Sequence, residues 1–203
     1  MEKPQLPAAR KFVDEIRSLY SQDLDPDILW DKIRTAMGPL LVDPELKKSS
    51  KTWPLTVEGA PKVKNLLFYE DPDYGFAVNG LTKGAARQGV PSRIHDHAHI
   101  YTLYGVLDGH ERIERYERLD DGSKPDYAEI RLVSNNMVEP GEIDLVGPYE
   151  IHTENTVGER TVAVIIRSEK SGGFNQGRYI PETNQYYESL GPRQTPVEMF
   201  PSI

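Results

Sequence analysis

Cysteine is absent from this chain of 203 residues. Its absence excludes disulfides, thiolate metal ligands and a cysteine nucleophile, and it argues against a disulfide-stapled secreted protein. No apolar run approaches the ~20 residues that cross a bilayer. The amino-terminal stretch MEKPQLPAARKF lacks the apolar core of a secretory signal. A cytoplasmic location without membrane partners is therefore expected. Basic residues are also in deficit: 24 Lys and Arg against 32 Asp and Glu leave a net charge of −8, and no basic run offsets it. Such a chain repels phosphate backbones, so nucleic acid is not expected as a partner. No repeat or low-complexity tract is present. What remains is a soluble globular chain of about one domain, long enough to bury a real core.

Two segments read as helices. Phe12, Val13, Ile16, Leu19 and Tyr20 follow helical spacing and form one apolar stripe. Asp25 then suits an N-cap, Pro26 a first helical position, and Gly38-Pro39 a terminus. Ile28, Leu29, Ile33 and Met37 would be the buried side of this second helix. A loose, Pro-containing stretch follows. The expected organisation is a helical segment over 1–60, packed on a β-rich unit over 61–203. In the latter, runs such as NLLFYEDPDYG, IYTLYGVLDG, PGEIDLVG and TVAVIIRS alternate with Gly, Pro, Asp and Asn, as in an all-β barrel or sandwich. RLDDGSKP reads as a turn, because Asp-Gly tolerates positive φ. Asp71-Asp73 and Asp120-Asp121 read as turn chemistry rather than catalysis. The tail from about 171, with its Gly-Gly, its prolines and Tyr186-Tyr187, reads as an irregular wrap.

Three of the five histidines, His95, His97 and His99, stand at alternate positions in SRIHDHAHIYTLYGVLDG. Strand side chains alternate faces, so His95 and His97 would point the same way about 7 Å apart. With a third imidazole from another strand they could converge on one ion, and His152 in GEIDLVGPYEIHTEN is the candidate. Gly89, His95, His97 and Gly109 match the spacing of the first cupin motif. Pro140, Gly141, Gly147, Pro148, His152 and Asn155 supply the elements of the second, with Asn155 one residue early and Gly147-Pro148 in reversed order. Over roughly residues 61 to 168 the chain thus resembles a cupin. That resemblance implies a mainly β fold, a double-stranded β-helix (jelly-roll) barrel carrying one metal held by His95, His97 and His152. The usual cupin glutamate is replaced by Thr102, which implies three neutral imidazoles with no carboxylate among the ligands.

IHDHAH, the downstream LDG and the IHTEN segment look more narrowly like the thiol dioxygenases, which act on cysteine or 3-mercaptopropionate. The resemblance implies Fe(II), with Zn, Ni, Mn or Cu as other ions that imidazoles suit. It further implies a small anionic substrate and O2 as partners, and a sulfinic acid as product. Two departures accompany it. The family's Ser-x-His-x-Tyr strand is replaced by Ala163, Ile165 and Arg167 in TVAVIIRS, and no Cys-Tyr crosslink can form. Candidates to bind the substrate's carboxylate are Lys64, Arg178 and Arg167, an arginine fork holding a carboxylate better than a lysine point charge. Tyr101 and His99 are the candidate catalytic residues: Tyr101 shares the histidine face, where barrel packing would explain it equally, and His99 would act from the pocket wall. His110, following Gly109, is expected to be exposed. Other readings keep the metal and change the role, to a C–C bond-cleaving dioxygenase, an isomerase, lyase or hydrolase, or a non-enzymatic metal-holding sensor. A homodimer is compatible with the chain.

Overall fold

The computed structural model describes residues 2–53, 65–84 and 93–199. Lys64 and Gly89 lie outside the described residues. The chain opens with three helices, α1 (Pro7–Tyr20), α2 (Pro26–Leu41) and α3 (Pro44–Ser50). Each begins with proline in its first turn, where the missing N–H would have no helical partner in any case. The Asp25 carboxylate accepts from the Asp27 N–H at 3.0 Å and caps α2. Helix α2 does not stop at Gly38-Pro39. It runs on to Leu41 because Leu40 and Leu41 are buried there, and packing outweighs one missing backbone bond in a last turn. Ile28 is 52% exposed, and Trp30 takes its expected place in the core. The stretch read as loose contains α3, capped by Asp43 on the Leu46 N–H at 2.8 Å.

Among the described residues ten strands follow: β1 (Asn65–Glu70), β2 (Ala77–Gly84), β3 (Ile94–His95), β4 (Thr102–Arg118), β5 (Ile130–Val138), β6 (Ile143–Val146), β7 (Ile151–Arg167), β8 (Asn175–Ile180), β9 (Gln185–Leu190) and β10 (Gln194–Pro196). They form one curled sheet in the order β10-β1-β2-β7-β3-β8-β9, with β4 also paired to β7 and carrying β5 and β6. The pairings are antiparallel except β1 with β10. Strands β4 and β7, of 17 residues each, run side by side from Thr102↔Arg167 to Tyr116↔Ile151. The segments IHTEN and TVAVIIRS, read as separate runs, are thus one strand. Gly109 lies inside β4: it sits at φ +76° in a bulge, where a Cβ would meet the Arg160 carbonyl oxygen at 2.1 Å. The tail is not an irregular wrap. It forms the β8–β9 hairpin against β3 and lays β10 along β1; short strands separated by Gly and Pro give little periodic signal.

Strand alternation builds two apolar cores on β4 and β7, and a third, smaller cluster joins Ala128, Ile151 and Tyr179. Leu103, Leu107, Val162, Val164 and Ile166 face outward and pack with Phe12, Ile16, Trp30, Ile33 and Met37 of the helices. Tyr104, Val106, Ile113, Ala163 and Ile165 face inward with Leu81 and Val138. Each large side chain so buried contributes roughly 1.5–3 kcal/mol, so packing on the sheet's outer face is what holds the helices. A polar clasp adds to it. Arg17 of α1 donates to Asp71 at 2.6 Å and to Asp73 at 2.5 Å in the β1–β2 turn. Asp71 also accepts from the Tyr69 hydroxyl and from the N–H groups of Asp73 and Tyr74.

Burial alone would raise the pKa of Asp71. The Tyr74 N–H, the Arg17 guanidinium and the other donors outweigh burial and hold it below the ordinary value. A depressed carboxylate contributes its stability above the unfolded pKa of about 4 and loses it as pH falls through the folded value. Asp71→Asn is therefore expected to lower the unfolding free energy by roughly 2 kcal/mol at neutral pH. The gap to the unsubstituted chain should close in acid, as denaturant unfolding across pH would show; a gap independent of pH would refute the charge argument.

Candidate metal centre

His95 ends β3 and is paired with His152, near the start of β7, and with Arg178 of β8. His97 follows in a turn. The ligating atoms of His95, His97 and His152 all lie within 4.8 Å of one another. Their rings stand 4.5–5.0 Å apart between centroids. The Nδ1–H of His95 donates to the Arg93 carbonyl at 2.9 Å and that of His152 to the Glu150 carbonyl at 3.0 Å. A carbonyl can only accept, so both Nδ1 atoms carry hydrogen and both Nε2 lone pairs face the cluster. His95 Nε2 and His97 Nε2 are 3.2 Å apart. Two metal–nitrogen bonds of about 2.1 Å at 90–110° put their nitrogens roughly 3.0–3.4 Å apart, so the donor set fits a single ion. Burial first, then the neighbouring His152 charge, holds the His95 pKa down to about 3, and His97 is depressed by the same causes. Neutral imidazoles are the ligand form.

The row does not extend to His99. Strand β3 is two residues long, and the chain turns through Ala98 at φ +54°. Asp96 holds this turn: its Oδ1 accepts from the N–H groups of Ala98 (2.7 Å) and Gly177 (3.0 Å), its Oδ2 from the Tyr179 hydroxyl (2.7 Å). A Cβ at Gly177 would lie 2.2 Å from Asp96 Oδ2, so that strand must come close without a side chain. The turn sends His99 outward, to Glu169 at 3.1 Å and the Phe174 ring at 4.9 Å. Tyr101 also leaves the histidine face. Its hydroxyl donates to Asp27 at 2.5 Å and its ring stacks on Trp30 at 5.5 Å, which ties β4 to α2. The two candidate catalytic residues therefore stand outside the imidazole cluster. His110 pairs with Glu139 at 2.8 Å on the surface.

Glu154 corrects the expectation of a site without acid. It follows His152 by two residues on the same strand face, and its Oε1 is 3.6 Å from His152 Nε2. Burial would raise the Glu154 pKa, but His152 holds it well below the ordinary value; burial would lower that of His152, but Glu154 holds it above. Glu154 therefore stands beside the nitrogen that a cation would take, and any proton held there would be displaced on metal binding. The signal was the period-2 pattern His-x-Glu in IHTEN. Further along the inner wall, Lys83 donates to Glu111 Oε1 at 2.8 Å and to the Glu154 carbonyl at 2.6 Å.

The two arginines differ. Arg178 is half-buried, with Nε on Ser189 Oγ and Nη2 on Gln176 Oε1, both at 3.1 Å. Arg167 is 5% exposed and shares the inner face of β7 with Ala163 and Ile165. Burial lowers its pKa to about 10 against the raising effects of Glu154 and Tyr104.

No family model and no curated protein matches the chain. Solved structures do. The cupin domain of Schizosaccharomyces pombe Cnp3 is 9% identical over 52% of this chain and 64% of its own, with a TM-score of 0.38. BH2720 from Bacillus halodurans is 12% identical over 62% and 77%, at 0.42. Oxalate oxidase with the substrate analogue glycolate is 18% identical over 57% and 56%, at 0.41. The chain itself shows a mainly β fold, one curled ten-stranded sheet among the described residues with three helices packed on its outer face. Identities this low transfer neither substrate nor reaction.

His97→Ala or His152→Ala should abolish binding of one transition ion per chain, read by elemental analysis after reconstitution, while His99→Ala retains it. Tyr179→Phe should cost about 1–2 kcal/mol of stability and weaken metal binding by roughly 10- to 100-fold, because Asp96 then loses the donor that sets the His95–His97 turn. Unchanged affinity in that variant would show that Asp96 needs no such support.

Proposed function

We propose that this chain is a metal-dependent oxygenase: a non-haem Fe(II) dioxygenase of the three-histidine kind that converts a small thiol acid to its sulfinic acid. The convergence of three buried or half-buried imidazoles, with ligand atoms within 4.8 Å of one another, carries the reading. Neutral imidazoles leave the full divalent charge of an ion to attract an anion, and three ligands leave positions open. Bound Fe(II), held by His95, His97 and His152, would supply the redox chemistry between thiol and oxygen. The reaction balances as R–SH + O2 → R–SO2H: the S–H and O–O bonds break, two S–O bonds and one O–H bond form, the thiol proton ending on a sulfinic oxygen, and sulfur gives up the four electrons that oxygen accepts. The protein's part is to hold the imidazoles in one tautomer, to fix the anion beside them and to exclude bulk water with the inner apolar wall of Leu81, Val106, Ile113 and Ile165. The test is oxygen uptake and sulfinate formation by iron-loaded protein with a panel of thiol acids. Tight iron binding without oxygen consumption by any thiol would overturn the dioxygenase reading.

Glu154 favours a second reading. A buried carboxylate next to an imidazole-held ion suits proton transfer, as in an isomerase, lyase or hydrolase. Zinc or nickel in the protein as purified, with no oxygen consumption, would favour that chemistry. Glu154→Gln should then abolish turnover and leave metal content intact.

A further inference from the structure

Arg167 is a buried cation without a counterion in contact. Buried guanidinium groups are ordinarily paired with carboxylates, because removing the charge from water is costly. Among the described residues no carboxylate lies within ion-pair distance of Arg167; its one hydrogen bond runs from Nη1 to Asn79 Oδ1 at 3.0 Å, and its buried Nε has no partner. Asn79 is neutral and fully buried, and it is tied on both sides, with Nδ2 donating to the Leu66 carbonyl at 3.1 Å and Oδ1 accepting from Gln194 at 3.2 Å. It therefore steers the guanidinium without neutralising it. Opposite Arg167 on β4 stands Thr102, 1% exposed, whose hydroxyl also has no partner among the described residues. Paired residues of an antiparallel ladder share a face. Two unbonded donors, Arg167 Nε–H and Thr102 Oγ–H, thus stand on paired residues of the inner wall, the guanidinium within electrostatic reach of His97.

We propose that Arg167, steered by Asn79 and joined by Thr102, is the subsite for the carboxylate of a small monocarboxylic acid whose other end reaches the imidazole cluster. This rests on the small-anion part of the function proposed above and names its recognition group. The free edge of the guanidinium offers a two-pronged grip on a carboxylate. Arg178 is not the clamp, since Ser189 and Gln176 occupy its fork. The position of Thr102, where a cupin glutamate would stand, then has a use: a carboxylate there would compete with the substrate for Arg167, and a hydroxyl does not.

The test is anaerobic calorimetry on the full-length, metal-loaded protein with propionate and 3-mercaptopropionate, each against its methyl ester. The wild type should prefer each acid on the order of 10-fold or more. Arg167→Met should erase that preference at unchanged metal content, Arg167→Lys should retain part of it, and Arg178→Met should leave it intact. Thr102→Val, which keeps the shape, should weaken both acids several-fold and carries the test if Arg167→Met does not fold. An acid preference that survives Arg167→Met, that vanishes in Arg178→Met, or that is absent from the wild type overturns the proposal. Because binding is read without oxygen, acid preference without oxygen uptake defeats only the dioxygenase reading. Oxygen uptake without acid preference defeats only the Arg167 subsite.

Discussion

The antiparallel pairing of β4 with β7 is the constraint on which the rest depends. From Thr102 to Leu107 and from Val162 to Arg167, the strands turn one row of side chains to the helices and the other to the interior. The outward row is apolar and buries the helical segment. The inward row changes character along the strand, from Ala163 and Ile165 to the polar positions His152, Glu154 and Arg167. A one-residue slip would exchange the rows, turning Arg167 toward the helices and Val164 and Ile166 toward the interior. The register is held by the Gly109 bulge, where the close approach of the Arg160 carbonyl excludes any side chain.

The interior carries more polarity than a packed core tolerates without compensation. Glu111 is matched by Lys83, Glu154 by His152, and Asp71, outside the barrel, by Arg17. Arg167 has only a neutral amide, and Thr102 and His97 Nδ1 have no partner among the described residues. Burying such groups costs free energy that folding alone does not return. The apolar half of the wall and the helix-covered outer core carry that cost, and the polar half is then available for binding.

The imidazole pair owes its aim to a turn rather than to a strand. Three donors converge on Asp96, between the two histidines, and the Tyr179 hydroxyl belongs to the distant β8. The carboxyl-terminal hairpin thus helps to shape the site although its own Arg178 is spent on neighbouring side chains. The same turn explains why His99 falls outside the cluster: alternation fails at Ala98.

Local chemistry alone was enough to place the helix stripe of α1, the capping of α2 by Asp25, the acidic turns and the spacing of His95, His97 and His152, because each depends on neighbours close in sequence or on a motif. The resemblance aligned Arg167 with Ala163 and Ile165, and the strand register then put the three on the inner face. Other features depend on partners far along the chain. Leu40 and Leu41 carry α2 past Pro39 because a sheet lies beneath them. The tail becomes strands because β1 and β3 offer unpaired edges. Tyr101 goes to Asp27 and Trp30 instead of to the imidazoles, and Glu154 reaches His152 because both lie on the buried face of one continuous strand. Residue type and spacing therefore determined which side chains could do chemistry, whereas the strand register and the Asp96 turn decided which of them meet, since contact between distant segments is a property of packing and not of local preference.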